Sequence, residues 1–195
     1  MGFIHRWARL AATTGAAPVA DLIEAPPANT GLADWLTAGA DDLIDALRDL
    51  PPDRPTWHPF AAPRVVAVWA RRQANETMIH AWDAVDAVGG TISLDPAAAA
   101  DNVAEYFEVI APRILSRDGR SAPVGSLKVQ CTDTGDEFVV RSDDGTSVAI
   151  HPSGASEAIL AAPAEQLCLA LWQRRGLPAA PDAPLAAAWL AFGGN

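Results

Sequence analysis

The sequence predicts an α+β fold, with a helical N-terminal domain and a small mixed domain after it. Apolar residues recur at helical spacing up to about residue 115. After the polar linker "SRDGRSAPVG", short β-branched or alternating runs are separated by Asp-Gly-type turns. Hydrophobic residues make up 50% of the chain and charged residues 19%, which supports a buried core. We therefore expect a helical bundle over residues 1–115 and a small α+β domain over residues 122–195.

Four helices are predicted in the N-terminal part. The first lies in "GFIHRWARLAATTG", and the second, in "GLADWLTAGADDLIDALRDL", is stopped by Pro51 and Pro52. The third runs from about residue 64 to residue 88 and stops at two glycines. Asp95 and Pro96 begin the fourth, as its N-cap and first residue.

The C-terminal part is predicted to contain strands followed by helices. Strands are expected in "SLKVQCTD", "DEFVVRS" and "TSVAIHP", joined by hairpin turns in "TDTGDE" and "SDDGTS", and a short strand in "EAILAA". The helix "PAEQLCLALWQRRG" follows, with Pro163 near its start and Gly176 as its C-cap. A last short helix is expected in "DAPLAAAWLAF".

Composition excludes several functional classes. A net charge of −10 disfavours nucleic acid and anionic lipid as partners. No apolar run is long enough to span a bilayer, and the first residues do not form a signal peptide. Cys131 and Cys168 are far apart and lie among apolar neighbours, so we expect reduced, buried thiols in a cytoplasmic protein.

The third helix carries the residues that point to chemistry, in "WARRQANETMIHAWDA". Glu76 and His80 are four residues apart, so both can reach one point in space. A carboxylate and an imidazole form a partial ligand set for a divalent metal such as zinc. Gln73 and Asp83 share this face, and Asp83 could support a ligand imidazole. The alternative is a salt bridge or hydrogen bond between Glu76 and His80 within the bundle.

Other residues are expected either to contact a ligand or to be structural. Arg71 and Arg72 could recognise a substrate carboxylate, or form a solvated face or an internal ion pair with Glu76. His5 is expected to be a polar residue on a partly exposed helix rather than a ligand. His58, in "TWHPF", could line the mouth of a site. Trp69 and Trp82 are expected in the core.

Three stretches together resemble a known family. "VWARRQANETMIHAWDAVDAVGG" is similar to the signature of the mycothiol-dependent maleylpyruvate isomerase family, which belongs to the DinB/YfiT-like metalloenzyme superfamily. "GFIHRWARL" resembles the end of the family's first bundle helix, and "ILAAPAEQLCLALWQRRG" a helix of its C-terminal domain. The resemblance covers the chain from residue 2 to about residue 189.

The resemblance implies a DinB-like four-helix metal-binding domain followed by a small α+β domain. It also implies a divalent metal, usually zinc, held by two histidines and a glutamate, of which Glu76 and His80 match two. Mycothiol would be the thiol cosubstrate: its thiolate adds to a cis double bond of a small-molecule substrate, rotation follows, and elimination gives the trans product. Metal would lower the pKa of the thiol, and an arginine would hold the substrate carboxylates. Arg174 or Arg175 could hold these carboxylates. We expect Arg72 and Arg175 to be catalytic residues. We also expect the protein to be a monomer or a weak homo-oligomer.

The sequence departs from the family at its start. In the family the remaining histidine ligand comes from the first helix, just before the position matched by Gly2, so we expect an N-terminal truncation that removes it. His5 lies well around the helix from that position. With two protein ligands, metal affinity should be weaker. The competing hypothesis is a non-catalytic member that binds a small ligand or a protein.

Overall fold

The computed structural model describes residues 1–28, 30–179, 181 and 183–193, and it confirms the α+β class. The helices predominate in the N-terminal part, and a four-stranded sheet lies in the C-terminal part. The chain divides into two compact units, Met1–His80 and Ala81–Asn195. The expected change of domain at residues 116–121 stays a prediction. Within the described residues, no helix is both long and apolar enough to cross a membrane.

The first unit contains α1 (Gly2–Thr14), a 3₁₀ turn (Ala20–Leu22), α2 (Leu32–Asp49) and most of α3 (Val66–Asp86). Helix α1 ends where Gly15 adopts a left-handed conformation with φ 75° and donates its N–H to the Ala11 carbonyl at 2.9 Å. Helix α2 ends directly before Leu50 and the prolines that were expected to stop it. The predicted helices are therefore confirmed.

An alanine face of α1 packs against aromatic side chains in the core of this unit. Trp7 meets the rings of Trp57 and Trp69 edge to face, at centroid distances of 5.3 and 5.5 Å. The Trp69 Nε1 donates to the Trp57 carbonyl at 2.9 Å, so this buried indole is satisfied. The cluster confirms Trp69 as core; its buried members are Ala8, Ala11, Ala12, Leu43 and Trp69.

His58 is also buried in the first unit, so the prediction that it lines a mouth is wrong. Its side chain is 0% exposed, and its Nε2 lies 2.8 Å from the Pro63 carbonyl oxygen. Its ring also stacks on Phe60. The proline-rich loop folds back on itself and fixes the imidazole inside the protein.

In the second unit, α4 (Pro96–Glu105) and α5 (Ala111–Asp118) are joined by a π-helical turn, Tyr106–Ile110. Asp95 accepts a hydrogen bond from the Ala98 N–H at 3.0 Å, which confirms it as the N-cap. The π turn was not predicted. Pro112, the second residue of α5, accounts for it: proline has no N–H, and its ring would clash with the carbonyl four residues earlier in a regular α-helix.

The sheet has the order β3-β2-β1-β4. The strands are β1 (Gly125–Cys131), β2 (Glu137–Ser142), β3 (Ala149–His151) and β4 (Ala158–Ala162). Strand β2 pairs antiparallel with β1 and with β3, which confirms both predicted hairpins. Strand β4 pairs parallel with β1, and α7 (Pro184–Phe192) packs against both strands.

Helix α6 (Ala164–Leu171) is shorter than predicted, and Gly176 is not its C-cap. The left-handed residue is Gln173, at φ 59°. The Gln173 N–H donates to the Ala170 carbonyl at 3.1 Å and the Arg174 N–H to the Leu169 carbonyl at 2.8 Å, as in a Schellman motif. The Gln173 side-chain amide donates to the carbonyls of Ala170 and Leu190. These bonds compensate for the conformation that glycine adopts more easily.

The early end of α6 places its two arginines outside the helix. The chain then reaches α7 through residues 172–183; Asp182, where the last helix was predicted to begin, lies outside the described residues. Arg174 and Arg175 are therefore positioned by a turn rather than by a helix face.

Candidate functional site

Glu76 and His80 lie one turn apart on α3 and are in contact. The His80 Nε2 is 3.3 Å from the Glu76 Oε1, and their side chains are 39% and 27% exposed. With bonds of about 2.0–2.1 Å from zinc to nitrogen and oxygen, two ligands of a tetrahedral ion are also about 3.3 Å apart. The separation therefore suits a direct hydrogen bond and a shared metal equally well.

Arg72 is one turn earlier on the same helix and pairs with the other oxygen of Glu76. Its Nη2 donates to the Glu76 Oε2, and its side chain is only 3% exposed. The alternative of an internal ion pair is thus confirmed. Direct recognition of a substrate by Arg72 stays a prediction. The arginine, the carboxylate and the imidazole form a row along α3, which we call the Arg72–Glu76–His80 row.

His5 is buried beside this row, contrary to the expectation of a partly exposed residue. Only 4% of it is exposed, because this face of α1 packs on α3, where the His5 Nε2 lies 3.2 Å from the Thr77 Oγ1. Burial lowers the pKa of His5, and the positive charges of the N-terminus and Arg6 lower it further. The neutral imidazole is therefore favoured at pH 7.

Two buried polar atoms lie on residues near the row and have no hydrogen-bond partner among the described residues. They are the His5 Nδ1 and the Gln73 Oε1. Gln73 and Thr77 have the i, i+4 spacing of a shared helix face, and Glu76 and His80 lie on it too. The sequence placed Gln73 on this face but did not reveal the contact of Thr77 with His5, because that contact depends on how two helices pack.

The residues meet only part of the requirement for a metal site. Among the described residues, no group of three or more His, Cys, Asp or Glu side chains is placed to hold a metal ion. Glu76 and His80 supply two donors at a suitable separation, and the nearby His5 does not join them in such a group. The fit is therefore that of a two-ligand site, which binds more weakly than one with three protein ligands.

In the second unit, Arg174 and Arg175 differ in how firmly they are held. Arg174 makes two parallel bonds to Asp83, from Nε and Nη2, at 2.9 and 2.8 Å. Asp83 is thus engaged by an arginine. Arg175 lies over the buried ring of Trp82 at 5.1 Å, and its Nη2 is 3.5 Å from the Asp86 Oδ1. The Arg175 side chain is 63% exposed, so it is accessible to an anion.

The two cysteines are buried and free, as predicted. Burial, together with the negative charge of neighbouring carboxylates, raises the pKa of Cys131 to about 11 and that of Cys168 to about 12. A thiol is a nucleophile only as its thiolate. Neither cysteine is therefore suited to act as a nucleophile at neutral pH.

Comparison with known proteins gives a family match for the region that contains the Arg72–Glu76–His80 row. Residues 1–85 match the family described as "Mycothiol maleylpyruvate isomerase N-terminal domain". The match includes α1, α2 and the whole Arg72–Glu76–His80 row. No curated protein and no solved structure matches the chain significantly.

Proposed function

We propose, from the premise that residues 1–85 belong to the mycothiol maleylpyruvate isomerase N-terminal domain family, that the chain is a metal-dependent enzyme that uses mycothiol. It would act as an isomerase or as a thiol transferase on a small molecule. The observation that carries the proposal is the Arg72–Glu76–His80 row, which lies within the matched residues and presents an imidazole that is 39% exposed. An imidazole with this exposure is accessible to a metal ion or a thiol.

The roles follow from the contacts within the row. Glu76 and His80 would hold the metal, which when bound supplies a positive charge that lowers the pKa of the thiol. The buried Arg72 balances the charge of Glu76 and fixes one of its oxygens, so the other remains directed at His80. Glu76 in turn orients the His80 ring. Arg72 therefore acts by positioning Glu76.

The nucleophile comes from the cosubstrate, because both thiols of the chain are buried and protonated. The thiol sulfur bonds to one carbon of the substrate's cis double bond, and the resulting single bond rotates. Elimination of the thiol then restores the double bond in the trans form, with no net oxidation or reduction. In a transferase the sulfur stays on the product. Arg175 would bind a carboxylate of the substrate.

A direct test is to mix the protein with mycothiol and maleylpyruvate and to follow the trans isomer by chromatography. We expect turnover that falls about 100-fold or more in His80→Ala and Glu76→Gln, as for loss of a residue that orients or binds at the reacting centre. His151→Ala is the matched control, since this exposed histidine lies at the end of β3. Equal turnover in His80→Ala and His151→Ala would contradict the role of the row.

One observation favours a second candidate, a non-catalytic member that binds a small ligand or a protein. Within the described part of the chain, the two donors of the row are not joined by a third metal-binding side chain. Titration calorimetry with mycothiol separates the candidates. Saturable binding without turnover of any electrophile supports the binding protein, whereas turnover supports the enzyme. We also propose that the protein is cytoplasmic and that it is a monomer or a weak homo-oligomer. Size-exclusion chromatography would measure its oligomeric state.

A further inference from the structure

The hydrogen bond between His5 and Thr77 holds an exposed hydroxyl beside the Arg72–Glu76–His80 row. Thr77 follows Glu76 directly on α3 and lies three residues before His80, so it shares the helix face of the His80 imidazole. Side chains three residues apart on a helix are neighbours, with Cβ atoms about 5–6 Å apart. The His80 side chain is itself 39% exposed. A small molecule bound at the His80 imidazole is therefore within reach of the Thr77 hydroxyl.

The contact with His5 determines where the Thr77 hydroxyl directs its proton. The His5 Nε2 lies 3.2 Å from the Thr77 Oγ1, whereas the buried His5 Nδ1 has no partner among the described residues. A neutral imidazole has one N–H and one lone pair, on different nitrogens. A buried N–H without an acceptor is rarer in proteins than a buried acceptor without a donor. The favoured tautomer therefore carries its proton on Nε2 and donates it to the Thr77 oxygen.

The proton of the Thr77 hydroxyl then has no acceptor within the described part of the chain. Threonines in helices often donate to a carbonyl of the preceding turn, as Thr13 does to the Arg9 carbonyl at 2.8 Å. Thr77 makes no such bond to the described residues, because its oxygen is held by an imidazole that is 4% exposed. A hydroxyl whose oxygen is fixed and whose proton is free is preorganised to stabilise a negative charge.

We propose that the Thr77 hydroxyl donates a hydrogen bond to the sulfur of the thiol cosubstrate and stabilises its thiolate, while His5 positions the hydroxyl. Resting on the proposed function, in which the thiol is activated at Glu76 and His80, this makes Thr77 a further catalytic residue of the same site. A hydrogen bond to the charged form of an acid favours that form, so more of the cosubstrate is present as the nucleophile at neutral pH. The thiol proton leaves to solvent, and the Thr77 O–H bond stays intact throughout the reaction.

The test is calorimetric titration of the intact protein with mycothiol and with S-methyl mycothiol, which cannot form a thiolate. Thr77→Val removes the hydroxyl at nearly constant size, and Thr77→Ser keeps it. We expect Thr77→Val to bind mycothiol about ten-fold or more weakly, as for loss of a hydrogen bond to a charged group. It should bind S-methyl mycothiol as the unaltered chain does. Thr77→Ser should stay within about three-fold of the unaltered chain for both ligands, because the donor is retained.

Two further variants complete the test. Thr37→Val is the matched control, because Thr37 is also an exposed threonine inside a helix, α2, and it should bind both ligands normally. His5→Leu should weaken the binding of mycothiol but not of S-methyl mycothiol, and Thr77→Val should add little to it, since both residues act on one hydrogen bond. Unchanged mycothiol binding in Thr77→Val, or equal weakening of both ligands in it, would overturn the proposal.

Turnover of maleylpyruvate separates this proposal from the proposed function. Thiol-dependent turnover that is lost in His80→Ala and lowered about ten-fold or more in Thr77→Val, but not in Thr77→Ser or Thr37→Val, would support both. Turnover that is lost in His80→Ala but unchanged in Thr77→Val would support the function and overturn the role of Thr77. If the unaltered chain neither binds mycothiol nor turns over maleylpyruvate, both are overturned.

Discussion

Replacement of Arg72 by methionine should destabilise the protein far more than replacement of an exposed arginine. The Arg72 side chain is 3% exposed and its partner Glu76 is 27% exposed. Removing one partner of a buried ion pair costs about 3–5 kcal/mol, because the other charge is left unpaired. Since Glu76 keeps a quarter of its surface in water, we expect about 2–3 kcal/mol. At about 2–4 °C per kcal/mol, the midpoint of thermal unfolding should fall by about 4–12 °C.

The control for this prediction is Arg48→Met on α2. Arg48 pairs with Asp45 at 3.8 Å, but their side chains are 76% and 77% exposed. Exposed pairs of this kind contribute about 0.3–0.5 kcal/mol at most, so the midpoint should move by no more than about 2 °C.

A double variant isolates the interaction with Glu76. Adding Glu76→Gln to Arg72→Met removes the unpaired charge, so the double variant should be more stable than Arg72→Met alone. Differential scanning calorimetry gives the unfolding midpoints of five proteins: the unaltered chain, Arg72→Met, Glu76→Gln, the double variant and Arg48→Met. The reasoning is refuted if Arg72→Met is as mild as Arg48→Met, or if Glu76→Gln lowers the midpoint equally with and without Arg72.

Three further predictions concern single residues. The pKa of Cys131 is about 11 and that of Cys168 about 12 in the folded state, against a pKa of 9.0 in the unfolded chain. The free energy of unfolding should therefore fall as pH rises above 9. Iodoacetamide should modify neither thiol at pH 8 without denaturant. The pKa of His5 is lowered from 6.5, so the folded state gains stability above pH 6.5 and loses it as pH falls; the difference in urea midpoint between pH 7.5 and pH 5 should shrink in His5→Gln. Gln173→Gly should change the free energy of unfolding by less than about 1 kcal/mol, since relief of the left-handed conformation offsets the lost amide bonds. Gln173→Val should lower the free energy of unfolding, measured by chemical denaturation, by about 2 kcal/mol or more.

Local patterns were sufficient to predict most elements of the fold. The N-cap at Asp95 and the two hairpins depend on neighbouring residues, and the structure confirms them. The left-handed Gln173 could not be predicted, because it depends on a bond to the carbonyl of Leu190 in another helix. The parallel pairing of β4 with β1 is likewise set by tertiary structure.

The candidate site divides in the same way. The contact of Glu76 with His80 follows from their spacing on one helix, and so does the ion pair of Glu76 with Arg72. The burial of His5 was missed because helical spacing does not say which face meets a neighbour. The π turn, although it was not predicted, has a local cause in the sequence, because Pro112 disrupts the regular α-helix there.

The measurement that tests the central claim most directly is the zinc content of the purified protein, by elemental analysis, beside that of His80→Ala. The proposal predicts that zinc added in slight excess is retained by the protein and lost in His80→Ala, with His151→Ala behaving like the unaltered chain. Equal zinc in the protein and in His80→Ala, or none in either, would contradict a metal centre at Glu76 and His80.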